Sequence, residues 1–149
     1  PILKCLLTTK KKGEIMSWWD IVYKSLNKGD RLFTPGRGLD GGSKKRPFTI
    51  FSKYSSKIVI HSGDYNIPLV KKCFDVVEEA LVKEKYRCLR VASLRANEPL
   101  DDSADKLIRI ATKSNLARGN YVCAMLERCK LVKYTMQGNR KVIELPCSC

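Results

Sequence analysis

The feature that most constrains this chain is a change in the spacing of its apolar residues. Between Pro47 and His61 the apolar side chains pair at every second position, Phe48 with Ile50 and then Ile58 with Ile60, which is the pattern of strands with one buried face. From Val70 onward Val70, Cys73, Phe74, Val77 and Leu81 recur at three- and four-residue intervals, the stripe a helix buries. Strands grouped first and helices grouped after them predict an α+β fold with a small antiparallel sheet rather than alternating βαβ units.

Local signals fill in the first part. Ser17 is placed as an N-cap, with Asp20 at the third helical position where its charge suits the helix N-terminus. Trp18, Ile21, Val22, Ser25 and Leu26 follow helical spacing, and Gly29 supplies the stop. Of the adjacent pair, Trp18 or Trp19 is expected to cover a neighbouring sheet, as part of the core. Strands are expected at Arg31–Thr34, Pro47–Ser52 and Lys57–His61, with turns at Tyr54–Ser56 and Ser62–Asn66. Pro68 reads as the first residue of a helix running to about Tyr86. Residues 87–100 fit either a short helix or a strand, broken by Asn97-Glu98-Pro99.

The last third has a more specific pattern. Asp101, Asp102 and Asp105 precede or open a segment whose apolar residues Ala104, Leu107, Ile108 and Ala111 have helical spacing, predicting a helix over about 103–113. After the short polar turn 114–119, a second helix is expected over about 118–129, with Val122, Met125, Leu126 and Cys129 on its buried face. Leu131–Gln137 and Arg140–Leu145 then flank Gly138-Asn139, a two-residue hairpin signal. That loop sets Gln137 opposite Arg140, Tyr134 opposite Ile143, Lys133 opposite Glu144 and Val132 opposite Leu145, giving two apolar pairs and one ion pair.

Helix, turn, helix and basic hairpin, carried chiefly by the run Tyr121-Val122-Cys123-Ala124-Met125-Leu126-Glu127-Arg128-Cys129-Lys130-Leu131-Val132, resemble the winged helix-turn-helix superfamily of DNA-binding domains. The resemblance covers less than a third of the chain. It implies that the second helix enters the major groove and that the wing flanks it on the backbone or minor groove. Projection of residues 118–129 places Asn120, Ala124 and Glu127 opposite the apolar face, with Tyr121, Cys123 and Arg128 at its borders. The expected contacts are Arg118, Asn120, Tyr121, Ala124 and Arg128 from the helix, and Lys133, Arg140 and Lys141 from the wing. The alternative arrangement is an α+β domain whose helix pair and hairpin only pack together.

Charge fits such a partner. Lys and Arg number 29 against 15 acids, a net +14, and a field of that sign attracts polyanions, nucleic acid above all. Duplex DNA is the favoured partner, through a transcriptional regulator or the DNA-reading unit of a larger system, alone, as a homodimer or in a larger complex. RNA held by the basic sheet and loop, with Tyr54 or Tyr65 stacking on bases, is a second reading, and a protein-docking module is a third. No apolar run reaches the ~18 residues needed to span a bilayer, so no membrane is expected. Seven cysteines, an odd number, without a secretory signal point to a reducing, cytoplasmic setting.

The motifs that invite chemistry lack its context. Gly36-Arg37-Gly38-Leu39-Asp40-Gly41 matches a dinucleotide fingerprint, but a basic stretch and a strand follow it instead of a helix. It reads as a flexible loop whose Arg37, Lys44, Lys45 and Arg46 touch phosphates. His61, the only histidine, ends a strand and is expected to make a turn hydrogen bond. Only Cys147 and Cys149 lie close together, too few for a structural zinc site. No acid is followed two residues later by lysine, so the common element of metal-dependent nucleases is absent; such a nuclease ranks last among the alternative readings, and no catalytic residue, metal or cofactor is expected. The organisation read from the sequence is a flexible basic leader (1–15, with Met16 as a natural start), an N-terminal α+β domain (16–95), a winged-helix domain (96–146) and a tail (147–149).

Overall fold

A computed structural model describes residues 16–36, 45–83, 86–92, 103–138 and 140–146. The first helix, α1 (Trp18–Ser25), begins as its cap requires, with the Ser17 hydroxyl accepting the Asp20 amide at 3.2 Å. Its other end is closed by a distant residue. Lys53 donates to the carbonyls of Tyr23 and Leu26, the latter at 2.8 Å, and its ammonium lies 4.4 Å from the Tyr23 ring centroid. Those carbonyls belong to the last helical turn and its cap, and a cation there also suits the helix dipole.

Four antiparallel strands follow in the order β1 (Arg31–Phe33), β2 (Pro47–Tyr54), β3 (Lys57–Ser62) and β4 (Tyr65–Val70). Leu32 opposite Phe48 and Ile50 opposite Ile60 line one face and are buried. The register shifts between Ile50 and Ser52, a bulge that leaves Phe51 half exposed on the other face and restores Lys53 to the buried side opposite Ile58.

β4 departs from the sequence expectation. Pro68 does not open a helix; it lies inside an edge strand opposite Val59, and helix α2 (Lys71–Glu78) starts three residues later. An edge strand tolerates proline because its outward amide needs no ladder partner. Pairing Ile67 with Ile60 and Leu69 with Ile58 completes two apolar rows of the sheet, which outweighs the preference of proline for a first helical turn. The expected buried stripe survives in Cys73, Phe74 and Val77, then Ala80 and Leu81 in a π-helical turn (Glu79–Lys83). Trp19 sits 5.4 Å from Phe74 and the Trp18 amide donates to Glu78 at 2.9 Å, so the tryptophan pair lies against α2.

The ambiguous stretch contains a short strand, β5 (Leu89–Arg90). Helices α3 (Ala104–Thr112) and α4 (Gly119–Arg128) come next, then the hairpin β6 (Lys133–Gln137) and β7 (Arg140–Glu144). The expected register holds within the strands, with Lys133 opposite Glu144, Tyr134 opposite Ile143 and Gln137 opposite Arg140, but the ladder ends there, so Val132 and Leu145 lie outside it and Leu145 is exposed; Gly138 takes the positive φ the tight turn requires. β5 adds to the outside of β7, making a second sheet in the order β5-β7-β6. Residues 89–90, expected in the N-terminal part, are therefore built into the C-terminal sheet. A single cluster of buried side chains runs from Trp18 through Phe48, Phe74 and Ile108 to Ile143, so the two parts share one core. No described helix is long and apolar enough to cross a membrane.

Candidate nucleic-acid interface

The uncovered face of the first sheet is set by the same alternation that builds its core. Residues between the buried ones point away: Arg31 and Phe33 on β1, Thr49 and Phe51 on β2, Val59 and His61 on β3. Phe33 is 44% exposed, Phe51 49% and Tyr54 52%, three of the large apolar side chains left on the surface. Each has a cation or ring beside it. Arg31 lies 5.4 Å and Lys45 5.2 Å from the Phe33 centroid, Lys57 lies 5.3 Å from that of Tyr54, and the Phe51 and His61 rings are 6.1 Å apart. None of the four strands contains an Asp or Glu. Two acids flank the strands, Asp30 just before β1 and Asp64 in the β3–β4 turn. His61 is tied down by a 2.7 Å bond between its Nδ1 and Asn66 Oδ1 across the β3–β4 pair, the turn-type bond expected of it.

The second C-terminal helix is placed differently from what a groove-reading helix needs. Gly119, Val122, Cys123, Ala124, Met125 and Leu126 are all buried. α4 packs on α3 with one side and on β1 with the other, and Tyr121 meets Phe48 edge to face at 5.1 Å while its hydroxyl lies 3.2 Å from Ser62 Oγ. Cys123 and Ala124, expected at the border and on the open face, are therefore interior, because β1 and the hairpin cover that side. Burial pushes the Cys123 thiol far above its usual range, with Asp105 adding to the effect.

Arg118 is also corrected. It is 4% exposed, with its guanidinium on Thr112 Oγ1 and, at 3.5 Å, on the Pro68 carbonyl. It ties β4 to the α3–α4 pair and cannot reach a nucleic acid. Its neighbour is held by Asp105, a residue the sequence pointed to only as a favourable helix-start charge. The Asp105 carboxylate accepts the amides of Arg118 at 2.9 Å and Gly119 at 3.0 Å, plus Arg109 Nε at 2.9 Å. It thus satisfies the first amides of α4 from inside α3.

Among the other expected contacts, Asn120 and Arg128 are exposed on α4, and Lys45 and Arg46 are exposed where β2 begins. Lys133 pairs with Glu144 at 3.5 Å. Arg140 is half-buried, and Lys141 donates to the Pro35 carbonyl at 2.6 Å and stacks 5.2 Å from the Tyr134 ring. The hairpin thus leans on the segment that follows β1 rather than standing free. Arg37 and Lys44, with most of the glycine-rich loop, lie outside the described residues. Tyr54 and Tyr65 are both exposed, Tyr65 at 73%. The sequence reading missed Arg31, Phe33, Phe51 and Lys57, whose signal was present as the complement of the buried alternation. No group of ligating side chains among the described residues is placed to hold a metal ion.

Comparison with family models, curated proteins and solved structures found no match in any of the three.

Proposed function

We propose that this protein binds single-stranded nucleic acid across the open face of its four-stranded sheet. The observation that carries the reading is the set of exposed rings, Phe33, Phe51 and Tyr54, each beside a cation or the His61 imidazole, on strands without acids. Bases stack on aromatic faces whatever their sequence, at about 1–3 kcal/mol per base. Phosphates between them meet Arg31, Lys45, Arg46 and Lys57. Four neutralised phosphates predict a salt slope of about −2.8 for single strands, from ~0.7 per phosphate. A duplex hides its base faces and cannot use the rings.

A second reading keeps duplex DNA. It is favoured by the chain order α2, β5, α3, α4, β6, β7 with strands ordered β5-β7-β6, which resembles a winged helix. In that reading only Asn120, Glu127 and Arg128 of α4 are exposed to a groove, since β1 occupies the rest of the helix, and Glu127 repels phosphate.

Equilibrium titration of labelled 15-nucleotide RNA, the same DNA strand and the corresponding duplex, from 50 to 300 mM salt, separates the readings. Single strands bound more tightly than duplex, with the slope above, are expected. A duplex preference would overturn the sheet reading in favour of the helix and hairpin, and binding to none of the three nucleic acids would overturn both.

A further inference from the structure

Between β1 and the C-terminal hairpin lies a cleft of about 280 Å³ that shares only Phe33 and Lys45 with the sheet-face reading. Phe33 and Tyr134 are its aromatic lining, and the Ala124 methyl also borders it. Lys45, Arg128 and Lys141 give it three cations against Glu127, the one acid in its lining. Lys141 is engaged with Pro35 and Tyr134, whereas Lys45 and Arg128 are exposed at the surface. A lining that is part aromatic and part cationic complements a ligand that is planar at one end and anionic at the other. The volume lies just under the roughly 300–1,000 Å³ of ordinary small-molecule pockets, which fits one nucleotide rather than a stacked pair.

Two residues join the cleft to the sheet face. Phe33 and Lys45 line the cleft and also form one of the ring–cation pairs of the open face. A strand crossing the sheet toward β1 therefore arrives at the mouth of the cleft.

We infer that this cleft is a subsite for a single unstacked nucleotide of the bound strand, its base against Phe33 and Tyr134 and its phosphate toward Lys45 and Arg128. The assignment rests on the sheet-face reading. One nucleotide then uses Phe33 from the cleft side while its neighbours stack on Phe51 and Tyr54, since taking a base out of a strand costs little when the strand is already single.

The test uses the full chain, adenosine 5′-monophosphate as probe, and backbone NMR shifts as readout. The nucleotide should shift Thr34, Ala124, Arg128 and Tyr134, and adenosine or inorganic phosphate alone should shift them less. A ten-nucleotide single strand should displace it. Arg128→Glu and Lys45→Glu, both at exposed positions, should weaken nucleotide binding about tenfold each, and Ala124→Leu should fill the cleft and abolish it. Phe51→Ala should leave the mononucleotide shifts intact while weakening the strand. Absent shifts, or shifts the charge reversals do not change, would overturn the subsite and leave the sheet reading standing. Shifts that the strand fails to displace would overturn its assignment to the bound strand. A protein that binds the mononucleotide but no strand would refute the sheet reading, and the subsite's role with it.

Discussion

Replacing Asp105 should unfasten the two C-terminal helices from each other. The residue is 4% exposed, and its side chain accepts three hydrogen bonds, two of them from the first amides of α4 and one from Arg109. In Asp105→Ala those two amides remain buried without acceptors, at ~1–3 kcal/mol each, while the partly exposed Arg109 pair adds less than ~1 kcal/mol. The expected loss is about 3–5 kcal/mol, a large share of the stability of a domain this size. Asp105→Asn keeps one carbonyl oxygen for the amides but turns an amino group toward Arg109 or the helix start, so about 1–2 kcal/mol is expected. Urea unfolding followed by circular dichroism and by tryptophan fluorescence measures both variants. A loss below about 1 kcal/mol for the alanine variant, or an asparagine variant no better than alanine, would refute this account of how α4 is held.

Other expectations follow from the same packing. In Gly119→Ala the new Cβ would sit 2.6 Å from Asp105 Cβ and 2.7 Å from the Val91 carbonyl, so a loss of about 1–3 kcal/mol in urea is expected although alanine favours helices. Lys53→Met should retain the buried stem and lose the bonds to the end of α1, lowering stability by roughly 1.5–3 kcal/mol and fraying α1 in hydrogen exchange. Burial raises the acidic groups Cys123, Tyr134 and Cys129, the last to about 11 against the opposing effects of Ser25 and Arg128. Their folded forms hold protons that the unfolded chain releases, so this stability is intact below a pH of ~8.5 and falls as pH rises toward 11; a urea midpoint unchanged between pH 8 and 10.5 would count against it. Phe51→Ala should weaken single-strand affinity by roughly 5–150-fold, the equivalent of one stacked base, with the fold unchanged by circular dichroism.

How much of this was legible in the sequence depended on how local the determinant was. The Ser17 cap, the Lys133–Glu144 pairing and the Gly138 turn are decided by residues close in the chain or by strict alternation, and each was read correctly. Pro68 was misread because its local preference for a helix start was outweighed by pairing with β3, where its partner Val59 lies nine residues back. Burial of Arg118 and Ala124 was invisible because it is imposed by Pro68, Thr112 and β1, which approach from other parts of the chain. Periodicity identifies one covered face of a helix, and α4 is covered on two. Likewise the open face of the sheet was half written in the alternation of Phe48, Ile50, Ile58 and Ile60, but that Phe33, Phe51 and Tyr54 stay uncovered is a fact of assembly.

The most direct measurement is to photocross-link a single strand substituted with 5-bromouridine and to map the attached peptides by mass spectrometry. Attachment at Phe33, Phe51, Tyr54 or His61 is predicted, and attachment confined to residues 120–128 or to the β6–β7 hairpin would contradict a role for the sheet's aromatic face.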